Sequence, residues 1–412
     1  MRIIRSTDGT ALENWLRRWR EPDERAARAA RRIVDDVRRR GDAAVRAWSR
    51  RLDGIDAVTE LSARELRRGW SATPRDVRAA IRVSARHLRR VAERQLPRPF
   101  SIDVCPGVRI EQRVQPLERV GCYVPGGRYP LPSTLLMTAV PARVAGVGEV
   151  LVACPRPTPA VCTAALEAGV TRVIRVGGAQ AIAALAYGTA SIARVDKVVG
   201  PGNAWVAAAK TAVSPRCGVE FHAGPSEIVV FSAAGRAEWI ALDLIAQAEH
   251  DPDARAVFVT TRAALAAAVL AAVRRLTPRQ GPAGRALRRH GAVIVTRSHS
   301  AAIDVVNRLA PEHLVCDRAA DAAGVRAGTV FVGRWSAQAA GDYCTGSNHV
   351  LPTGGAAGFR GGLSAADFVR TFSVQTLSRR GLRTIGRHAM ALAGAEGLQA
   401  HRDSIRVRMR DL

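Results

Sequence analysis

The chain has 412 residues, too many for one hydrophobic core, and its 47% hydrophobic content supports a large interior divided over two or three domains. A formal charge of +26 raises the question of a polyanionic partner, yet the excess is arginine scattered among acidic residues on helical faces, the only lysines are Lys197 and Lys210, and aromatics reach only 5%. That pattern argues against a nucleic-acid binder, which needs a concentrated basic patch or a stacking platform, and leaves it a distant alternative.

In chain order, residues 1–21 read as an N-terminal segment. Its opening, Met-Arg-Ile-Ile-Arg-Ser-Thr-Asp, lacks the apolar core of a signal peptide. Pro22-Asp23 opens a helix over 23–40 with Ala30, Ile33, Val34 and Val37 on its apolar side, and Gly41 closes it. Asp42 is placed to cap the next helix, which ends near Asp53-Gly54. Thr73-Pro74 starts another, with Val77, Ala80, Ile81, Leu88 and Val91 on one face.

From 118 onward, short apolar runs at 149–152, 171–176, 195–199, 227–231, 256–260, 291–296 and 328–332 alternate with helical patterns such as 158–168, 179–187, 203–212 and 236–249. Such alternation predicts parallel sheets covered on both faces. The expected fold is α/β: two incomplete Rossmann-like α/β/α domains with parallel-rich sheets, flanked by helical N-terminal and C-terminal segments. Residues 22–117 are grouped with 228–362 as the larger domain, and 118–227 form the second. The segment 363–412 reads as a helical tail without a strand of its own, expected to pack on another part or another subunit.

Seven dispersed cysteines with no Cys-x-x-Cys point to a reduced compartment. The longest apolar run, 263–273, is too short for a bilayer, so a cytoplasmic protein without a membrane segment is expected.

Three loops follow predicted strands and open predicted helices: Tyr123-Val124-Pro125-Gly126-Gly127-Arg128, Gly177-Gly178-Ala179-Gln180 and Gly200-Pro201-Gly202-Asn203. Glycines admit a ligand close to the backbone, and helix N-termini offer free N–H groups, although none of the loops is Gly-x-Gly-x-x-Gly. In Gln247-Ala-Glu-His250, an i, i+3 pair ends a helix before Asp251-Pro252, so an amide oxygen and an imidazole could converge on one ion. Asp342, in a glycine-rich stretch running to Gly355, offers a carboxylate, and His401 in the tail a second imidazole. Glu312-His313, just after Pro311, can divide proton transfer between two chemical steps. His222 and His349 lie in glycine-rich loops near the same presumed cleft, whereas His87, His290, His299 and His388 read as solvated. Cys122 and Cys344 offer a rival thiohemiacetal route, which requires a thiol of lowered pKa.

Taken together, the stretches Gly121–Gly146, Val176–Thr189, Val199–Lys210, Ala223–Val230, Gln247–Pro252, Asn307–Leu314, Gly341–Gln375 and Ala395–Ser404 resemble the histidinol dehydrogenase family. The resemblance implies oxidation of L-histidinol through L-histidinaldehyde to L-histidine, with zinc and two NAD+. It assigns Gln247, His250, Asp342 and His401 to zinc, and Glu312 and His313 to catalysis, with His313 as general base and Glu312 activating water. It places NAD on the 118–227 domain at Tyr123, Gln180 and Asn203. Ser226 and Glu396 become substrate contacts, joined by His313 and the zinc ligands. It further implies an intertwined homodimer in which the tail carries His401 and Glu396 to the partner's site. Two stretches depart from the family's usual form: Pro125–Pro130 looks closer to paralogues acting on other small polar alcohols such as sulfonated diols, which is the alternative substrate class, and Val219–His222 differs from the commoner Ile-Asp-Met-Leu type.

Overall fold

The computed structural model describes residues 1–19, 24–126, 129–170, 172–221 and 224–411. The Pro22-Asp23 helix start, the Gly127-Arg128 tip of the first glycine loop and His222 therefore lie outside the described residues. The chain divides into two compact units, Met1–Gln95 with Leu117–Phe368 and Leu96–Pro116 with Val369–Leu412.

The larger unit holds two parallel sheets. One has six strands in the order Arg2–Arg5, Ala292–Val295, Arg255–Thr260, Glu227–Phe231, His313–Cys316, Thr329–Val332. Its central strands are buried along most of their length, with the apolar runs Ile228–Phe231 and Ala256–Val259 at their middle, because helices cover both faces. Ile228, Val230 and Phe258 meet Leu244 and Val269 in one core, while Val229, Phe231 and Val257 meet Trp15, Leu16 and Val305 in the other. Each such side chain withdrawn from water contributes about 1.5–3 kcal/mol.

The second parallel sheet has five strands in the order Arg172–Ile174, Glu149–Ala153, Arg119–Tyr123, Lys197–Val199, Gly218–Val219. Its helical cover includes Glu24–Arg40 and Asp42–Asp53: Ala30, Ile33, Val34, Val37, Ala44 and Val45 share a core with Ile182, Leu185, Val206 and Val213. This differs from the grouping of 22–117 with 228–362. An apolar stripe specifies that a helix is covered, without naming the sheet that covers it. Gly41, at φ 53°, occupies the cap position expected for Asp42, which instead stands in the first turn. There its carboxylate accepts from the Ser191 backbone N–H at 3.1 Å and hydroxyl at 2.7 Å.

The smaller unit is an antiparallel sheet, Val369–Leu377 on Val108–Pro116 on Phe100–Cys105, together with the helices Arg379–Ala395 and Gln399–Arg410. The tail thus carries a nine-residue strand, correcting the expectation of a purely helical segment. Its strand is exposed along most of its length and interleaved with Arg370, Ser373 and Gln375, so no continuous apolar run announces it. Among the described residues no helix is long and apolar enough to cross a membrane.

Candidate active site

The helix His299–Leu309 ends at Ala310, whose φ of 42° makes it the only non-glycine residue at positive φ among the described residues. That left-handed step costs about 1–2 kcal/mol. With Pro311 following, it reverses the chain and sets Glu312 and His313 at the amino end of the His313–Cys316 strand. Strain of this kind is typical of positions where geometry serves function.

Both side chains are buried. Glu312 Oε2 accepts the Ser226 hydroxyl and the Glu227 backbone N–H, each at 2.7 Å. The Gln247 side-chain amide donates in turn to the Ser226 oxygen. His313 Nδ1 lies 3.0 Å from the Glu227 carbonyl and 3.5 Å from Glu312 Oε2. Because a carbonyl can only accept, Nδ1 carries a proton, and Nε2 is the nitrogen left to gain or lose one. Nε2 points toward Asp342 Oδ1, 4.0 Å away.

Burial alone would destabilise both charges, but their mutual attraction wins. Desolvation opposes ionisation of Glu312, yet the His313 charge and the two donated hydrogen bonds hold its pKa below the usual carboxylate value. Desolvation likewise opposes the His313 imidazolium, and the Glu312 carboxylate, helped by Asp342, pushes its pKa up to about 9.

Asp342 is held by two neighbours. Gln338 donates to Oδ2 at 3.0 Å, and His349 Nδ1 lies 3.1 Å from the Asp342 carbonyl and 3.6 Å from Oδ1. His349 is largely withdrawn from solvent, with Thr134 Oγ1 at 3.2 Å, and desolvation lowers its pKa. It therefore orients the Asp342 loop from within. Among the described residues no group of three His, Cys, Asp or Glu is arranged to hold a metal ion. Two of the expected ligands, Gln247 and Asp342, nevertheless converge on the Glu312–His313 neighbourhood, and the buried Gln247 Oε1 has no hydrogen-bond partner. An acceptor left bare in a buried polar network is what a cation-binding amide requires. His250 sits exposed just past the helix Ala237–Ala248, with its N–H 3.3 Å from the Gln247 carbonyl. The donor set of amide oxygen, carboxylate and imidazole suits zinc. His401 and Glu396 stand exposed on the smaller unit, on the helix Gln399–Arg410 and at the end of Arg379–Ala395 respectively.

The residues the resemblance assigns to the cofactor lie along the carboxyl edge of the five-stranded sheet. Its strand order reverses between Arg119–Tyr123 and Lys197–Val199, and such reversals open a crevice beyond the strand ends. Tyr123 ends one of these strands, and Gly200-Pro201-Gly202-Asn203 follows the other. Tyr123 is buried, which pushes its phenol pKa up to about 12, and its oxygen accepts the Gly178 N–H at 3.2 Å. Gln180 is fully buried and donates to Asp53 at 2.8 Å, while its Oε1 has no partner. Asn203 caps the helix Ala204–Val213 by accepting the Val206 N–H at 3.1 Å.

The six-stranded sheet has a similar reversal between Glu227–Phe231 and His313–Cys316, but there the chain fills the position itself. Asp317 accepts the N–H groups of Ala233 and Ala234 at 2.9 and 3.3 Å. Ser226, Glu312 and His313 lie at the opposite, amino edge of those strands.

Cys122 is fully buried and burial pushes its pKa up to about 12, so it is packing rather than a thiolate nucleophile. His87, read as solvated, instead contacts the Cys344 carbonyl through Nδ1 at 2.7 Å. Sequence reasoning missed Glu227, whose main chain holds both Glu312 and His313, and Gln338, one helical turn before Asp342. Only the position of Glu227 directly after Ser226 hinted at its role.

Parallel α/β sheets, a strand-order reversal flanked by glycine turns, and a buried acid–imidazole pair are what a dinucleotide-dependent oxidoreductase would use. Within that class the chain belongs to the histidinol dehydrogenase family, whose model matches residues 16–409. It is similar to histidinol dehydrogenases of Aromatoleum aromaticum, at 45% identity over 94% of this chain and 92% of that protein, and of Cereibacter sphaeroides, at 44% over 98% and 95%. The crystal structure of histidinol dehydrogenase from Elizabethkingia anophelis superimposes with a TM-score of 0.91 at 29% identity, covering 100% of this chain and 98% of that one. The protein is accordingly an NAD-dependent enzyme acting on an alcohol and an aldehyde, and the paralogue alternative is not favoured.

Proposed function

We propose that the chain oxidises L-histidinol through L-histidinaldehyde to L-histidine with two NAD+. The observation that carries this reading is the buried Glu312–His313 pair, with Nδ1 tied to the Glu227 carbonyl and Nε2 directed toward Asp342. Gln247, His250 and Asp342, with His401 of a second copy, would hold zinc as an anchor for the substrate's imidazole and amine, and NAD at Tyr123, Gln180 and Asn203 would accept hydride.

His313 Nε2 takes the hydroxyl proton as the carbon gives up its first hydride. Glu312, held by Ser226 and Glu227, then draws a proton from water as its oxygen adds to the aldehyde carbon. His313, once it has released that first proton to solvent, takes the remaining hydroxyl proton as the second hydride leaves, and the carboxylate forms. Ser226 and Glu396 orient the substrate. A homodimer would bring His401 and Glu396 to the partner's site. Support comes from the smaller unit, which leaves Phe100, Ile102, Val104 and Leu392 exposed at 54%, 54%, 64% and 67%.

NADH formation by metal-loaded protein is the test, with L-histidinol set against a panel of amino and sulfonated alcohols. L-histidinol is expected to give the highest kcat/KM, and turnover confined to another alcohol would overturn the substrate assignment.

A further inference from the structure

In a chain whose basic residues are otherwise arginine, both lysines flank one turn. Gly200-Pro201-Gly202-Asn203 joins the Lys197–Val199 strand to the Ala204–Val213 helix, which carries Lys210. Lys197 Nζ donates to the Asp367 carbonyl at 2.7 Å, bracing the strand. Lys210 Nζ donates to the Gly200 carbonyl at 2.8 Å and pairs with Glu220 Oε1 at 2.5 Å. The same Glu220 oxygen accepts the Gly200 N–H at 2.9 Å. One ion pair therefore grips both backbone groups of a single glycine. Neither side chain reaches solvent, each being 0% exposed.

Gly200 itself sits at φ +120° against the end of the neighbouring strand, where a Cβ would collide with the Tyr123 carbonyl oxygen. Fully buried ion pairs stabilise poorly compared with apolar side chains of similar volume, so this one calls for a geometric role. A compact ammonium can donate to two oxygens in a closed slot that a planar guanidinium would not enter, which accounts for lysine here.

We infer that Lys210 and Glu220 are positioning residues for cofactor use. They fix Gly200 against Tyr123 and thereby set the turn that presents Asn203. The inference rests on the assignment of Tyr123, Gln180 and Asn203 to NAD.

The test uses the full-length, metal-loaded protein, NADH fluorescence titration, and steady-state KM for NAD+ and for the alcohol. Lys210→Met alone leaves Glu220 buried and unpaired and is expected to fold poorly. The working variants are therefore Lys210→Met/Glu220→Leu, which removes both grips without a stranded charge, and Lys210→Arg. Each should raise the NADH Kd and the KM for NAD+ by about tenfold or more, through misplacement of the turn, while the KM for the alcohol stays unchanged. Lys210→Met/Glu220→Gln, which keeps an acceptor for the Gly200 N–H, should recover part of the affinity.

NADH affinity unchanged in Lys210→Arg or in the Leu double variant would overturn the clamp. So would equal loss in every parameter together with a fallen Tm. Asn203→Ala, measured in parallel, separates the two assignments. Unchanged NADH affinity in that variant strikes the cofactor assignment itself, whereas weakened affinity there with normal affinity in the clamp variants strikes only the clamp.

Discussion

Replacing Glu312 by Gln removes one charge and keeps the side chain's shape, so its consequences follow from the local electrostatics. In the native chain burial disfavours the imidazolium, yet His313 titrates at about 9 because the Glu312 carboxylate lies beside it. Measured from the ordinary histidine value, that net preference corresponds to about 3 kcal/mol. The amide forfeits most of it, leaving burial opposed only by Asp342, and the histidine pKa is expected at or below about 6.5.

The sign is definite. A base must be neutral, so native alcohol oxidation rises with pH through an apparent midpoint of about 9, which belongs to the coupled pair. In the variant His313 is already neutral at about pH 7, and that limb shifts down by about two pH units. The ion pair also contributes stability above the depressed Glu312 pKa, stability that is lost as pH rises through about 9. The variant's deficit in Tm should therefore close at alkaline pH. Water activation, by contrast, disappears with the carboxylate, so complete oxidation of the alcohol to acid should fall by about 10²–10⁴-fold while supplied hydrated aldehyde is oxidised much more nearly as before. The assay is NADH production against pH from each substrate. An unmoved alkaline limb, or equal losses on both substrates, would refute the reasoning.

Three further outcomes are expected. His313→Ala should lower kcat by about 10²–10⁴-fold with zinc content intact by elemental analysis, and undiminished turnover would remove it as the base. His401→Ala should purify with zinc lost, and a fully metallated variant would exclude it from the ligand set. Gly200→Ala should cost about 3 kcal/mol or more in chemical denaturation, because a Cβ meets the Tyr123 carbonyl at a φ that side chains avoid; near-native stability would contradict the close approach.

What was legible in the sequence followed from local pattern. Strands such as Glu227–Phe231 and Arg255–Thr260 announce themselves by unbroken apolar runs, Ile228–Phe231 and Ala256–Val259, and Glu312 and His313 share a turn simply because they are neighbours. The mostly exposed strand Val369–Leu377 showed no such pattern. The order reversal beside Tyr123 is a non-local property of strand pairing that no window of residues contains. Glu227 holds the catalytic pair through main-chain atoms, which are the same in any residue, so its identity carried no signal. The ligand grouping of Gln247, His250, Asp342 and His401 came from family resemblance, since histidines and carboxylates are common and spacing across more than 150 residues is mute. The Lys210–Glu220 pair was likewise visible only as one of two lysines until burial and contacts showed its place.

The most direct measurement is stoichiometric: NADH formed per L-histidinol consumed by the purified, zinc-loaded protein, with the product identified by chromatography. Two NADH and one L-histidine per molecule, with no free aldehyde, is the predicted result. One NADH with aldehyde released, or no consumption of L-histidinol at all, would contradict the account.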